Sequence, residues 1–202
     1  MKNIIIALTV LTFVLIGYYF FIKTDKSSTK TENITTQKEE KIVSEEIINY
    51  EVKSEVFEGK NYLAVMFDTL PMEEISGEFF AKNYADIGKQ IAKFGNGAPS
   101  ALFYIWDTEN TTTKMAIAIP LEEIPTKVNE GFKVISVPKN ESFYVDYYGT
   151  YAKMEGAHEA INEYIFTNNL KGQYVAIEEY VSDPATEPDP SKWLTKISYV
   201  KL

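Results

Sequence analysis

Carboxylates that alternate with aromatic side chains are the residues of this sequence best suited to chemistry. Successive side chains of a strand point to opposite faces, so Glu178 shares a face with Tyr174 and Tyr180 if residues 174–181 form a strand. A carboxylate among aromatic rings can bind an organic cation through charge pairing together with cation–π contacts. Applied to the other strand-like segments, the same alternation gives a candidate ligand-binding set of Glu178, Tyr180, Tyr104, Trp106, Tyr148, Asp146 and Tyr174.

The intervening positions of these segments carry compact aliphatic side chains. In the segment 174–181 they are Val175, Ile177 and Val181, which we expect to pack against helices. The sequence therefore predicts a sheet with helices on one face and a wet aromatic ligand groove on the other. The alternative interpretation is that the aromatic residues are ordinary cross-strand packing on a pleated surface and that the acids are solvated.

The pattern of strands and helices recurs along the chain. Two segments with apolar residues at helical spacing, 73–94 and 151–168, each stand between pairs of strand-like segments. The predicted strands are Asn49–Phe57, Asn61–Asp68, Ala101–Trp106, Met115–Pro120, Phe132–Val137, Ser142–Tyr148, Tyr174–Val181 and Leu194–Val200. The order ββαββ therefore occurs twice, which predicts a tandem duplication with repeats at about 48–124 and 130–202. Helices beside a mainly antiparallel sheet give an α+β fold.

The composition excludes several kinds of site. The chain of 202 residues has no cysteine, which excludes disulfides and thiolate–zinc sites, and one histidine, His158, which excludes a histidine-cluster metal site. We therefore expect no cofactor and no metal. His158 falls beside the apolar stripe of the second helix, and we expect it at the helix surface or its boundary rather than in a catalytic site. The formal net charge is −9 and arginine is absent, which argues against nucleic acid as a partner and favours cations.

An uncharged apolar run at the N-terminus, Ile4–Ile22, is flanked on each side by a lysine. At about 1.5 Å per residue it nearly spans a hydrocarbon core of about 30 Å, so we predict a transmembrane anchor at 1–23, with the following domain on the extracytoplasmic side. A cleaved signal peptide is the alternative, although the run is long for one and no A-x-A pattern follows it. Residues 24–47 are rich in Lys, Glu, Ser and Thr, which predicts a flexible tether to a ligand-binding domain at 48–202.

The C-terminal part of the sequence resembles the closing motif of GyrI-like domains. The form E-x-Y-x-x-D-P occurs at 178–184 and is followed by a proline-rich loop and by L-T-x-I at 194–197. The segment Tyr-Tyr-Gly-Thr-Tyr at 147–151 is similar to the strand–Gly–helix junction of the same family. The resemblance covers residues 50–202.

GyrI-like domains also serve as effector-binding modules of AraC- and MerR-type regulators. The resemblance implies a duplicated ββαββ module, the SHS2 pair, with a small-molecule groove between the repeats. It also implies that Glu178 points into this groove and pairs with cationic or polar ligands, while Glu179 points away. The chain ends in Tyr-Val-Lys-Leu, where the family usually ends in an Ile-Pro-Val/Leu type of sequence, and it has no helix-turn-helix. A role in transcription is therefore not implied.

Three functions are compatible with the sequence. The first is a membrane-tethered, non-catalytic binding module for a small amphipathic molecule, with a lipophilic cation as one candidate. The second is a hydrolase of reactive xenobiotics, in which Glu178 activates a water or protonates a leaving group, with Asp146 as a candidate partner. The third is a protein-interaction or inhibitor domain. In each case we expect the proline-rich run Asp183–Pro190 to form a loop over the groove.

Overall fold

The secondary structure follows the order ββαββ twice. The computed structural model describes residues 49–91, 94–95, 97–182 and 184–202. The strands are β1 (Lys53–Phe57), β2 (Lys60–Pro71), β3 (Ser100–Asp107), β4 (Thr112–Pro120), β5 (Lys133–Val137), β6 (Asn140–Tyr148), β7 (Tyr174–Tyr180) and β8 (Leu194–Lys201). The helices are α1 (Gly77–Ile91) and α2 (Glu155–Thr167). The predicted α+β class and the repeated order of elements are confirmed.

The eight strands form one antiparallel, curled sheet in the order β1-β6-β8-β7-β3-β4-β2-β5. The first strand of each repeat pairs with the second strand of the other repeat, β1 with β6 and β5 with β2. The third strands, β3 and β7, pair with each other at the centre. The repeats thus exchange a strand, and the strand order is symmetric about the central pair of β3 and β7.

Both helices begin later than the periodicity predicts, because a short 3-10 turn precedes each of them. These turns are Met72–Glu74 before α1 and Tyr151–Lys153 before α2. The side-chain oxygen of Ser76 accepts a hydrogen bond from the backbone N–H of Phe79 at 3.2 Å, which satisfies one of the free donors at the start of α1. Both helices bury their apolar stripe in a single core cluster.

Both faces of the sheet are buried. One core cluster combines the two helices with strand residues such as Ile117, Ala176 and Ile197. The second cluster, which includes Leu102 and Ile177, is built in the described residues from strands alone. Because its members are buried without helices above them, the curl of the sheet itself must cover this second face.

Within the described ranges, no helix is long and apolar enough to span a membrane. The anchor predicted at 1–23, the whole of the tether at 24–47 and the predicted start of the domain at 48 fall outside those ranges. These boundaries stay predictions.

Candidate functional site

Glu178 lies on β7, near the centre of the sheet. It is paired with Ala101 of β3 and with Ile197 of β8, so neighbouring strands enclose it on both sides. The alternation along β7 turns its side chain to the face that carries both helices, where the residue is 5% exposed. A carboxylate buried to this extent requires hydrogen-bond donors or a counter-ion.

Two side chains make hydrogen bonds to the Glu178 carboxylate. The Tyr180 hydroxyl, two residues further along β7, lies 2.5 Å from Oε2, and His158 Nε2 of α2 lies 2.9 Å from Oε1. Burial, and after it the charge of Glu178, raises the pKa of Tyr180 well above its usual value, so this hydroxyl keeps its proton and donates it. In the described part of the chain, lysines pair with other acids and none forms an ion pair with Glu178.

A second layer of hydrogen bonds lies behind His158. Its Nδ1 is 3.2 Å from the hydroxyl of Tyr199 on β8. The side-chain amide of Asn162, one helical turn after His158, donates to the same hydroxyl at 3.2 Å. Burial raises the pKa of Tyr199 to about 12, so Tyr199 remains protonated and can donate to the imidazole.

Aromatic rings from α1 and from the turn before α2 enclose Tyr180. Phe80 and Tyr84 meet the Tyr180 ring edge-on, with ring centroids 6.3 and 6.4 Å away. Tyr151 packs against the same ring at 5.1 Å. These contacts leave the Glu178 carboxylate among ring faces and edges contributed by both repeats.

Aromatic side chains of β3 lie on the other side of His158. Trp106 is 6.3 Å from the imidazole and stacks on Phe103 at 4.3 Å. Trp106 is 44% exposed, so this side of the site reaches solvent. We refer to the following residues together as the Glu178 cage: Phe80, Tyr84, Phe103, Trp106, Tyr151, His158, Glu178 and Tyr180.

The cage contains a hydrogen-bond donor that no described residue uses. The Tyr84 hydroxyl is buried and makes no hydrogen bond to any described residue. Burial first, and then the charge of Glu178, raises the pKa of Tyr84 well above its ordinary value, so the hydroxyl keeps its proton. It is therefore a buried donor that no described residue satisfies.

The structure brings three of the predicted site residues together: Glu178, Tyr180 and Trp106. Tyr174 lies on the same face of β7 but packs on Phe143, with ring centroids 6.2 Å apart, at the opposite end of the strand. The expected arrangement of helices on one face and groove on the other is wrong in one respect, because the helix-bearing face and the Glu178 face are the same. Glu179 points away as predicted, since its carboxylate pairs with Lys60 at 2.8 Å.

A bulge separates Tyr104 from Trp106, which simple alternation puts on one face. The pairing of β3 with β4 shifts between Phe103 and Ile105, so one extra residue interrupts the alternation. Trp106 consequently stacks on Phe103 at the cage, whereas Tyr104 packs with the core cluster on the opposite face.

Asp146 and Tyr148 also lie on the face opposite Glu178. Their neighbours Val145 and Tyr147 are buried in the helix-side cluster, so alternation along β6 turns both predicted residues the other way. Asp146 forms an ion pair there with Lys53 at 3.1 Å, and Tyr148 is 61% exposed. Asp146 therefore cannot serve as a carboxylate partner of Glu178.

His158 lies at the boundary of the helix as expected, with its side chain 15% exposed, but its contact with Glu178 at 2.9 Å was not predicted. The helical pattern places His158 next to Ala157, which is fully buried. The pattern does not say which strand residue a helix residue will contact. The cage residues not predicted from the sequence are Phe80, Tyr84, Phe103, Tyr151 and His158. Asn162 and Tyr199, which lie behind His158, were not predicted either. The spacing of His158 and Asn162, four residues apart on one helix face, was the available signal.

Trp193, which follows the proline-rich segment, connects that segment to the cage. The Trp193 ring packs on Tyr151 with centroids 5.5 Å apart, and its indole N–H donates to the carbonyl of Glu187 at 2.8 Å. The predicted loop therefore lies beside the cage, although Asp183 falls outside the described residues. No group of three or more metal-ligating side chains occurs among the residues that the structure describes.

Solved structures show which proteins share this architecture. No protein-family model matches the chain, and no curated protein matches it. The C-terminal domain of EcmrR superimposes with a TM-score of 0.62 at 13% identity, over 75% of this chain and 96% of that domain. SAV2435, solved bound to tetraphenylphosphonium, gives a TM-score of 0.58 at 14% identity, over 75% of this chain and 94% of that one. The chain has the fold of these proteins.

Two further comparisons bound the likeness. EcmrR in its complex with DNA gives a TM-score of 0.64 at 12% identity. The match covers 96% of this chain but only 66% of the EcmrR chain, so this chain spans about two thirds of the length of EcmrR. A hydrolase encoded by lin2189 from Listeria innocua gives a TM-score of 0.50 at 12% identity, over 75% of this chain and 92% of that one. At such identities the likeness establishes the fold alone.

Proposed function

We propose that this chain is a GyrI-like binding protein that captures a small amphipathic cation in the Glu178 cage. The observation that carries the proposal is the state of Glu178. Its carboxylate is 5% exposed, accepts two hydrogen bonds, and has no lysine partner in the described residues. A bound organic cation would supply the missing positive charge.

The energetics favour a cationic ligand over a neutral one. Burying an unpaired carboxylate costs several kcal/mol even after hydrogen bonds form, and a cation placed beside Glu178 would offset part of that penalty. The rings of Tyr180, Tyr151 and Trp106 would add about 0.5–2 kcal/mol for each favourable cation–π contact. The net charge of −9 attracts cations towards the domain before they bind.

The structural neighbours support a ligand-binding module. SAV2435 has the same fold and was solved with tetraphenylphosphonium, an aromatic cation. The EcmrR C-terminal domain shares the fold. We take these likenesses as support for small-molecule binding and for tetraphenylphosphonium as a first probe, since the cage itself consists of aromatic rings around one carboxylate.

A pair of probes of matched shape tests the proposal. Tetraphenylphosphonium and tetraphenylborate have nearly the same size and opposite charges. We expect the purified full chain to bind the cation saturably and the anion weakly or not at all, with a change in the fluorescence of the exposed Trp106 on cation binding. Equal binding of both ions would contradict a role for the carboxylate.

The chain offers a matched control for this experiment. Glu178→Gln removes the buried charge and should weaken cation binding about tenfold to hundredfold, the effect of losing a buried charge pair of about 1.5–3 kcal/mol. Glu179→Gln makes the same chemical change at the next residue, whose side chain pairs with Lys60 on the opposite face, and should leave binding unchanged. Equal losses in the two variants would show a general charge effect rather than recognition by Glu178.

We also propose that the domain acts beside a membrane, through the apolar run at 4–22. Amphipathic cations concentrate at bilayers, so a tethered cage would meet its ligands there. A C-terminal fusion to alkaline phosphatase, which is active only outside the cytoplasm, should be active in cells, and the protein should remain in the membrane fraction after a high-salt wash. An inactive fusion would favour a cytoplasmic domain, and release into the soluble fraction would favour a cleaved signal peptide.

Hydrolysis is the second candidate, and one observation favours it. The His158–Glu178 pair, 2.9 Å apart, combines a carboxylate with an imidazole, which is a common arrangement for activating a water molecule. The lin2189 hydrolase shares the fold. Turnover of reactive esters or epoxides that is lost in both Glu178→Gln and His158→Gln would support hydrolysis, whereas saturable binding of such compounds without turnover would exclude it.

A further inference from the structure

His158 lies close enough to Glu178 to compete with a ligand cation for its negative charge. Its Nε2 lies 2.9 Å from Oε1 of the carboxylate, and its side chain is 15% exposed. In the described residues it is the one group in contact with Glu178 that can become positive. The charge available to a ligand therefore depends on whether His158 carries one proton or two.

The hydrogen bonds around His158 favour the neutral ring. The Asn162 amide can only donate to the Tyr199 hydroxyl at the observed 3.2 Å contact, so the Tyr199 oxygen is already an acceptor. Its own proton is then free to point at His158 Nδ1, 3.2 Å away, which makes Nδ1 an acceptor. Nε2 carries the remaining proton and donates it to Glu178.

With a neutral imidazole, each hydrogen-bonding group around His158 has a partner: Asn162, Tyr199 and Glu178. A doubly protonated ring would also direct Nδ1–H at Tyr199, whose oxygen would then accept from two donors while its own proton lost its acceptor. The chain Asn162–Tyr199–His158–Glu178 thus opposes the imidazolium, although the carboxylate alone would attract it.

We propose that His158 determines the charge selectivity of the Glu178 cage. While it is neutral, the full negative charge of Glu178 is available to one monovalent cation. When it is protonated, it becomes an internal counter-ion and excludes the ligand. This inference rests on the proposed binding function and adds that binding is coupled to the release of a proton.

Few groups face His158, so a pH dependence of cation binding can be assigned to one of them. Glu178 contacts it from β7, Tyr199 from β8 and Trp106 from β3. Tyr180 of β7 donates to the same carboxylate. From α1, Tyr84 adds a further buried phenol near Glu178. The phenols keep their protons at neutral pH, so Glu178 and His158 are the two members of this set that can carry a charge.

The test uses tetraphenylphosphonium, whose charge does not depend on pH. Calorimetric titration of the full chain at constant ionic strength from about pH 8 to 5, the range in which imidazoles titrate, should show affinity falling up to about tenfold per pH unit. Titration in two buffers of different ionisation enthalpy should show up to one proton released for each cation bound. In His158→Gln, which keeps a donor facing Glu178, both effects should disappear.

A second variant tests the hydrogen-bond chain itself. Tyr199→Phe removes the donor to Nδ1 and keeps the ring, so His158 should protonate more readily. The loss of affinity should then begin at a higher pH than in the unchanged protein, a shift that a purely structural role of Tyr199 would not produce.

The possible results separate the two proposals. Cation binding that does not vary with pH overturns the role of His158 and leaves the proposed function standing. The same pH dependence in His158→Gln assigns the titration to Glu178 and also overturns it. An absence of binding at every pH overturns the proposed function, and this inference with it.

Discussion

Two tyrosines of the Glu178 cage differ in what their hydroxyls do. The Tyr180 hydroxyl donates to Glu178 at 2.5 Å, whereas the Tyr84 hydroxyl has no partner in the described residues. Both rings are packed between α1 and the sheet. Each can be replaced by phenylalanine with little change of shape, so the pair isolates the energetic role of the hydroxyl group.

We expect Tyr180→Phe to lower the free energy of unfolding by about 1.5–3 kcal/mol, because it removes a hydrogen bond to a buried charge. Tyr84→Phe should leave the free energy of unfolding unchanged or raise it, because it deletes a buried hydroxyl that nothing described satisfies. Urea denaturation followed by circular dichroism at pH 7 would measure both. Equal losses would mean that the Tyr180–Glu178 hydrogen bond does not stabilise the fold.

At the residue scale, the sequence predicts that Glu178 and Tyr180 lie together, but it does not predict which residues surround them. Glu178 and Tyr180 could be paired because they lie two residues apart on one strand, and alternation decides that contact locally. His158 could not be paired with Glu178 in this way, since the contact joins a helix to a strand. It depends on how α2 is rotated and set along β7, which no local pattern encodes.

At the scale of elements, the wrong assignments came from the sheet. Alternation predicts faces correctly along β7 but fails along β3, where the bulge between Phe103 and Ile105 adds one residue to the count. We expected the aliphatic face of the sheet to pack against the helices, because the apolar face of a sheet is usually buried by another element. In this protein the strand-only cluster containing Val175 and Ile177 is buried by the sheet's own curl, so the helices were free to cover the face with the carboxylate.

The turns that join the exchanged strands give a prediction at the same scale. Gly59, in the turn from β1 to β2, has φ +80°, and a Cβ there would lie 3.0 Å from the backbone nitrogen of Lys139. Lys139 belongs to the turn from β5 to β6, so the two turns pack against each other. Gly131 has a similar φ of +87°, but a Cβ added to it would meet no atom within 4 Å.

Gly59→Ala and Gly131→Ala should therefore destabilise the protein by different amounts. Both substitutions force alanine into the left-handed region, at about 1 kcal/mol. Gly59→Ala should lose more, by about 1–2 kcal/mol, because the new methyl group meets backbone that cannot move freely. Thermal unfolding of both variants would compare them, and an equal loss of stability would show that the two turns are not in firm contact.

At the scale of the whole molecule, the exchange of strands makes the repeats depend on each other. β1 lies at the edge of the sheet and pairs with β6, while β5 lies at the other edge and pairs with β2. The central pairing of β3 with β7 also joins the two repeats. The duplication could be read from the order of elements along the chain, but this exchange could not, because strand order in a sheet is set by contacts between distant segments.

We therefore expect neither repeat to fold alone. A fragment of residues 49–124 keeps β2, β3 and β4 but loses the partner of β1, and a fragment of residues 125–202 loses the partner of β5. Each would also expose one side of a central strand and half of the Glu178 cage, since Tyr84 comes from the first repeat and Glu178 from the second. Circular dichroism should show both fragments largely unfolded, and mixing them should restore strand signal together with binding of tetraphenylphosphonium.

Cooperative unfolding of either fragment by itself would show that the repeats are independent units. The cage would then be an interface between two domains rather than part of one core.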